Sequence, residues 1–136
     1  MTKTKRRLLT SVIGLMSGCA MADWVQISSD EEKNLGLYVD TATINKNGNE
    51  VSIWSLADFK ETQTIVGNRF HSIEIQRQYD CRKEQSRTLH AVWYAGSMGG
   101  GTVVFSTNTA TEWSLVTRET IAYAEWKFAC NKVGHA

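Results

Sequence analysis

Four cations between positions 77 and 87 form the only concentration of positive charge beyond the N-terminus. Arg77, Arg82, Lys83 and Arg87 surround the end of one predicted strand and the turn that follows it. Guanidinium and ammonium groups bind carboxylates and other anions. The cluster therefore predicts a docking patch for an acidic protein partner or a glycan, with a solvated charged turn as the alternative.

Nucleophilic and metal chemistry have weaker support in the sequence. A serine nucleophile needs a positioned base, and no Gly-x-Ser-x-Gly motif occurs. His71, His90 and His135 lack the close spacing of strong metal motifs, although His71 and His90 fall on strands predicted to pair. Residues 96–101 are glycine-rich without the Lys-Ser/Thr of a phosphate loop, which predicts a flexible turn. We therefore expect no catalytic residues, no metal site and no cofactor, and a small hydrolase is the least favoured function.

The N-terminus has the order of a secretory signal peptide. A basic stretch (1–7) precedes an apolar stretch (8–16) and a small-residue stretch (17–22). The apolar stretch is shorter than the roughly 20 residues that span a bilayer. We expect a signal peptide over 1–22 and one domain over 23–136, and a buried first element of a cytosolic domain is the alternative.

Two cleavage routes compete. Ala20-Met21-Ala22 presents small residues where a leader peptidase reads them, which would leave Asp23 as the new N-terminus. Met16-Ser17-Gly18-Cys19 is similar to a bacterial lipobox, which would leave Cys19 lipidated. The first route is favoured because Met is a poor first lipobox residue and the tether to the first strand would be short.

Removal of residues 1–22 leaves 114 of the 136 residues, with 11 basic and 14 acidic side chains. That length suits one domain with a modest core. A weakly acidic chain gives no electrostatic reason to bind nucleic acid. The sequence has no second hydrophobic segment, so we expect nothing after residue 22 to span a membrane.

Under either cleavage route Cys19 is not available for a disulfide, which leaves two cysteines, Cys81 and Cys130. Because disulfides persist in exported proteins, we expect these two to bond, and two separate buried thiols are the alternative. A loop of about 50 residues closed in this way is worth roughly 4 kcal/mol in the chain-entropy model.

Alternating apolar and polar residues predict about six strands in an antiparallel meander. The predicted strands cover 24–28, 35–39, 50–60, 70–81, 85–95 and 102–107. Asp40 to Ile44 reads as a single helical turn capped by Asp40, and 62–68 reads as a loop. Trp54, Trp93 and Trp113 are assigned to the core, with sugar stacking on exposed aromatic rings as the alternative.

Helix-forming residues dominate the last segment. Residues 119–130 predict a helix on the sheet, with Thr117 as its cap, and a final edge strand is the alternative. Ile121, Ala124, Glu125 and Phe128 share one helical face. The fold class is therefore α+β: an antiparallel meander with a C-terminal helix packed on it and stapled through one disulfide.

An ordered set of residues across 24–130 resembles the surface-adhesin protein E-like domain of Gram-negative bacteria. The set is Trp24, Tyr38-Val39-Asp40, Ile44, Gly48, Val51-x-Ile53-Trp54, Asp58, Asp80-Cys81, Tyr94-x-Gly96-x-Met98, Trp113-x-x-Val116 and Cys130. One departure is the absence of proline at the helix start, where this chain has Val116-Thr117-Arg118.

The resemblance implies an antiparallel sheet with a packed helix and a non-enzymatic envelope protein that binds a protein ligand, such as a host matrix protein. The alternative is a periplasmic accessory or inhibitor module that grips another envelope protein through a sheet edge. Both place the chain outside the cytoplasm, in the periplasm or at the outer membrane and cell surface. An exposed edge strand would also allow a homodimer.

Overall fold

Six strands joined by short turns make an antiparallel sheet in the order of the sequence. The computed structural model describes residues 23–132; the signal-peptide prediction, Cys19 and His135 lie outside them. The elements are β1 (Trp24–Asp30), β2 (Leu35–Asn47), β3 (Glu50–Ile65), β4 (Asn68–Asp80), β5 (Gln85–Tyr94), β6 (Val103–Thr107), β7 (Ser114–Leu115) and α1 (Ile121–Lys132). The predicted meander and C-terminal helix are confirmed, and the short β7, which pairs with β5, is an addition.

One face of the sheet, here the helix face, carries the core under α1. Val51 lies opposite Tyr79 and Ile53 opposite Arg77 across β3 and β4, so these side chains leave the sheet on the same side. Val51, Ile53 and Tyr79 are at most 1% exposed and pack with Ala129 and Cys130 of the helix. Each fully buried aliphatic side chain contributes about 1.5–3 kcal/mol, and this contact holds α1 on the sheet.

The other face, here the outer face, alternates with the core positions. Trp54 lies opposite Gln76, and Gln76 lies opposite His90, so the three form one row across β3, β4 and β5. Leu56 belongs to the next row and is fully buried. The Gly96–Gly101 turn lies over this part of the face, because the Met98 amide donates to Asp58 Oδ1 at 2.7 Å.

That turn is more constrained than its composition predicts. The Ser72 hydroxyl donates to the Gly96 carbonyl at 2.6 Å and accepts the Gly99 amide at 2.9 Å. A 3₁₀ turn spans Ser97–Gly99 within it. The expectation of a flexible hairpin tip is therefore replaced by a hydrogen-bonded cover on the outer face.

Two local predictions were wrong. Asp40 to Ile44 is not helical: β2 continues through it with a bulge, and the Asp40 carboxylate accepts the Ala42 amide at 3.1 Å. An aspartate that satisfies a nearby amide gives the same local signal at a bulge and at a helix cap. Residues 62–68 are not a loop either, since β3 runs to Ile65 and turns through Val66 and Gly67, both at positive φ.

The helix begins two residues later than predicted. Its cap is Thr120, whose hydroxyl accepts the Tyr123 amide at 3.2 Å and donates to the Thr117 carbonyl at 2.6 Å. The prediction of Thr117 as the cap was therefore wrong, and the edge-strand alternative for this segment is excluded by α1.

Candidate functional site

The β4–β5 turn presents two of the four predicted cations to solvent. Arg82 and Lys83 are exposed, and both of their backbone amides donate to Asp80 Oδ1 at 2.9 Å. Asp80 thus fixes the turn by accepting amides that a tight turn leaves without partners. The two side chains themselves make no hydrogen bond or ion pair with the described residues, so both charges are available to a ligand.

Arg77 and Arg87 leave the sheet on opposite faces. Arg77 lies on the helix face opposite Thr88, whereas Arg87 lies opposite Gln78 on the outer face. The β4–β5 register separates them: it shifts by one residue at Leu89, and an unshifted ladder from the Gln76–His90 pair would have placed Arg87 on the face of Arg77. The four residues of the predicted patch are therefore not one surface, although Arg77 and Arg87 both line a groove of about 320 Å³ at the edge of β5.

Arg77 belongs to a buried polar cluster beneath α1. Its Nη1 lies 3.5 Å from Oε1 of Glu125, a fully buried carboxyl that also accepts the Tyr79 hydroxyl at 2.6 Å. The other carboxyl oxygen, Oε2, has no hydrogen-bond partner among the described residues. Such a cluster fixes how the helix sits on the sheet, because the buried Glu125 of α1 finds its polar partners on β4.

The electrostatics of this cluster follow from its burial. Burial raises the pKa of Glu125, and the neighbouring Arg77 charge and the Tyr79 hydroxyl only partly offset that effect. The pKa of Tyr79 is raised well above its usual range, first by burial and then by the Glu125 charge. The pKa of Arg77 is raised despite its burial, since Tyr79 and Glu125 favour its charged form. Arg77 therefore stabilises the buried carboxyl of Glu125 and is not part of an exposed cationic patch.

Two cations of the C-terminal segment lie beside the β4–β5 turn. Arg118 Nη2 lies 3.5 Å from Oε1 of Glu84, and Arg118 Nη1 donates to the Tyr123 hydroxyl at 2.7 Å. Lys127 Nζ lies 5.7 Å from the centroid of the Tyr123 ring. We call the surface made by these side chains and the turn cations the turn–helix surface; it comprises Arg82, Lys83, Arg118, Tyr123 and Lys127.

The sequence missed Arg118 and Lys127 as members of this surface. The signal for Lys127 was the spacing on the helix, because Lys127 follows Tyr123 by four residues and so shares its face; Arg118 precedes the helix and had no such signal. Placing them beside the turn also required the Cys81–Cys130 pairing. That disulfide forms, with its Cα atoms 5.7 Å apart, and joins the end of β4 to the last turns of α1.

None of the three tryptophans that were assigned to the core is fully buried. Trp54 is half-buried on the outer face, since Ile53 occupies the core position and neighbouring strand residues face opposite sides. Trp113 is half-buried under the Arg87 guanidinium, whose carbon lies 4.9 Å from the ring centroid. Assigning these two to the core was wrong. Trp93 is also only half-buried, in an edge-to-face contact with Phe105 at 5.2 Å.

The two histidines in the described residues, His71 and His90, have separate partners. His71 Nε2 lies 2.9 Å from the Thr62 hydroxyl, and His90 stacks on Trp54. Within residues 23–132, no group of three or more His, Cys, Asp or Glu side chains could hold a metal ion.

Comparison with known proteins shows which family this chain belongs to. The family model for surface-adhesin protein E matches residues 24–131, which include the whole sheet and nearly all of α1. The chain belongs to the surface-adhesin protein E family. This membership supports an adhesin-like protein of the cell surface.

Solved structures of protein E from Haemophilus influenzae share the fold. One crystal form has a TM-score of 0.64 at 14% identity and covers 81% of this chain and 90% of its own. A second structure has a TM-score of 0.64 at 13% identity and covers 86% of this chain and 90% of its own. Protein E from a non-typeable strain has a TM-score of 0.59 at 14% identity and covers 82% of this chain and 78% of its own. A search of curated proteins found no match.

In the described chain, exposed cations lie on the helix, on the β4–β5 turn and on strand ends, and the turn and helix cations lie beside one another. No helix in the described part of this family member is both long and apolar enough to cross a membrane. The turn–helix surface is therefore the feature of the described chain best suited to contact another macromolecule.

Proposed function

We propose that this chain is an exported, non-enzymatic envelope protein that binds an acidic segment of a protein ligand through the turn–helix surface. The observation that carries the proposal is the presence of two unpaired, exposed cations, Arg82 and Lys83, on a turn held rigid by Asp80. Asp80 orders the backbone of the turn before a ligand binds, so the entropy lost on binding is confined to the two side chains.

The aromatic part of the surface adds to its ability to bind. Tyr123 stacks on Trp126 at 5.6 Å and lies under the Arg118 guanidinium at 5.0 Å. Tyrosine and arginine are enriched among the residues that dominate protein–protein binding energy. An acidic peptide laid across the turn would meet cations at its edges and an aromatic ring between them.

The position in the cell follows from the N-terminus in this proposal. Residues 1–22 direct export, cleavage after Ala22 releases residues 23–136, and the oxidising compartment lets Cys81 and Cys130 bond. Mass spectrometry of the mature N-terminus tests the cleavage step. A diacylglyceryl group on Cys19 would instead make the chain a lipoprotein.

Charge reversal tests the binding surface. Arg82→Glu combined with Lys83→Glu should weaken binding of a fluorescent Asp/Glu-rich peptide at least tenfold, measured by anisotropy at low salt. The matched control is Lys60→Glu with Arg69→Glu, two exposed cations at the opposite end of the sheet. Equal loss in both variants would mean that only the net charge matters and would contradict the proposal.

A second candidate function is favoured by the free sheet edge. Among residues 23–132, β1 pairs with no strand other than β2, so its other side offers backbone groups for strand addition by another envelope protein or by a second copy of the chain. Antibody labelling of intact cells separates the two candidates, since it reaches an adhesin and misses a periplasmic module.

A further inference from the structure

The outer face carries an aromatic pair that the core does not use. Trp54 and His90 flank Gln76 in one row of the sheet, and their rings stack with centroids 6.1 Å apart and planes at 19°. Both residues are half-buried. A solvent-facing sheet surface is normally polar, and a stacked aromatic pair on it offers a flat apolar surface to a ligand.

A groove beside this pair has the composition of a small-ligand site. It encloses about 270 Å³ and is lined by Trp54, His90, Val92, Ser106, Thr107 and Asn108. Its floor is aromatic and aliphatic, whereas its wall on β6 and beyond carries hydroxyl and amide groups. Among the described residues, the side chains of Ser106, Asn108 and the adjacent Gln76 make no hydrogen bond. Apolar floors with a few polar groups at the rim are typical of small-molecule sites.

The next residue of β5 on the same face is a positioned arginine. A bulge at Leu89 keeps Arg87 and His90 on one side of the sheet, about 10 Å apart along the strand. Arg87 Nε donates to Gln78 Oε1 at 2.8 Å, and its guanidinium lies 4.9 Å from the centroid of the Trp113 ring. No carboxylate in residues 23–132 pairs with it, so its terminal nitrogens are free for a bidentate contact with an anion.

These observations together define one kind of ligand. A pyranose ring has a face of C–H groups that stacks on an aromatic ring and a rim of hydroxyls that bonds to amides and hydroxyls. A carboxylate on the neighbouring sugar would lie within reach of Arg87. We propose that the outer face is a binding site for an acidic oligosaccharide, with one sugar stacked on Trp54 and His90 and a uronate carboxylate bound by Arg87.

The site lies apart from the turn–helix surface and does not depend on it. The Trp54–His90 row is on the outer face, whereas α1, which carries Tyr123 and Lys127, packs on the helix face. Charge reversal at Arg82 and Lys83 therefore leaves oligosaccharide binding in place, and loss of the oligosaccharide site leaves binding of the acidic peptide in place.

Calorimetry with two matched probes tests the proposal on the protein as the cell produces it. The acidic probe is a hyaluronan tetrasaccharide, in which uronates alternate with neutral sugars, and the neutral probe is chitotetraose. We expect the acidic probe to bind at least tenfold more tightly. Trp54→Ala and Arg87→Gln should each weaken it about tenfold, whereas Trp54→Phe retains a stacking ring and Arg69→Gln removes a distant exposed cation, so both should bind like the wild type.

Nuclear magnetic resonance provides a readout that does not depend on the variants folding. The His90 ring and Trp54 indole signals of the wild-type protein should shift when the acidic probe is added. Absence of binding at millimolar probe, equal affinity for the two probes, or shifts confined to residues outside the outer face would each overturn the proposal.

Discussion

Replacing Glu125 by glutamine tests the polar cluster under the helix most directly. The substitution keeps an oxygen for the Tyr79 hydroxyl, which lies 2.6 Å from Oε1, and changes the other oxygen, which has no partner. Only the 3.5 Å contact with Arg77 loses its charge, and Arg77 keeps 23% of its side chain exposed to water. We therefore expect the free energy of unfolding at neutral pH to change by less than about 1 kcal/mol.

The opposite view of this cluster predicts a different size of effect. If the ion pair dominated, removing one charge would leave the other buried without compensation and cost about 3–5 kcal/mol. Glu125→Ala is the matched comparison: it removes the acceptor of the Tyr79 hydroxyl and opens a cavity, which together cost about 3 kcal/mol or more.

The raised pKa of Glu125 also predicts how the stability difference between the wild type and Glu125→Gln changes with pH. Burial raises the pKa of Glu125 above the ordinary value of 4.5, so the folded protein holds this proton to higher pH than the unfolded chain does. The stability contributed by this group is greatest below pH 4.5 and falls as the pH rises through the raised pKa. The glutamine side chain does not titrate. The free energy of unfolding of the wild type minus that of Glu125→Gln should therefore decrease as the pH rises from 4.5 through the raised pKa of Glu125.

Urea denaturation across a pH series, with the disulfide intact, measures that difference. Other carboxyl groups titrate in both proteins and cancel in the subtraction. A loss of 3 kcal/mol or more for Glu125→Gln, or a difference that grows in favour of the wild type with rising pH, would refute the reasoning.

Three further predictions concern stability. Serine at both Cys81 and Cys130 opens a loop with a sequence separation of 49 and should lower the free energy of unfolding by about 4 kcal/mol; a reduced wild type that melts like the oxidised one would contradict this. Val66→Asn should raise stability by about 1 kcal/mol in thermal melts, because Val66 holds φ 47° before Gly67 at φ 78° in a hairpin turn that prefers Asn-Gly; an unchanged melting temperature would count against it. Gly99→Ala should cost about 2 kcal/mol, because the residue has a positive φ and its new Cβ would lie 3.0 Å from Glu74 Oε2. Gly48 also has a positive φ, but a Cβ there meets nothing within 4 Å, so Gly48→Ala should cost only about 1 kcal/mol. Equal melting temperatures for the two variants would show that the contact with Glu74 has no effect.

Strand positions could be predicted from the sequence because alternation is a local property. β5 and β6 begin and end within one residue of their predicted bounds, since turn residues and alternation agree there. Residues 62–68 could not be predicted in this way. Val66 in a tight turn runs against its own conformational preference, and only the pairing of Ile65 with Asn68 holds it there.

Which side of the sheet a residue occupies was harder to predict. Ile53 and Trp54 are both apolar neighbours, so the sequence does not say which faces the core. The register with β4 decides it by placing Ile53 opposite Arg77 and Trp54 opposite Gln76. The register of β4 with β5 separates Arg77 from Arg87, which the sequence had grouped by proximity along the chain.

The candidate site was predictable only in part. Arg82 and Lys83 follow a strand end and could be placed on a turn from local signals. Arg118 and Lys127 joined them because α1 docks beside that turn, which is a tertiary contact. Glu125 had a signal in the sequence, as a carboxylate on an otherwise apolar helical face, but its partners came from β4.

Adhesion of intact cells to a layer of host basement-membrane matrix tests the central claim most directly. Cells displaying the wild-type chain and cells displaying Arg82→Glu with Lys83→Glu are compared at equal surface levels, with Lys60→Glu and Arg69→Glu as the control pair. The account predicts that adhesion is lost with the turn reversal and kept with the control. Adhesion that is the same for all three, or absent from the wild type, would contradict it.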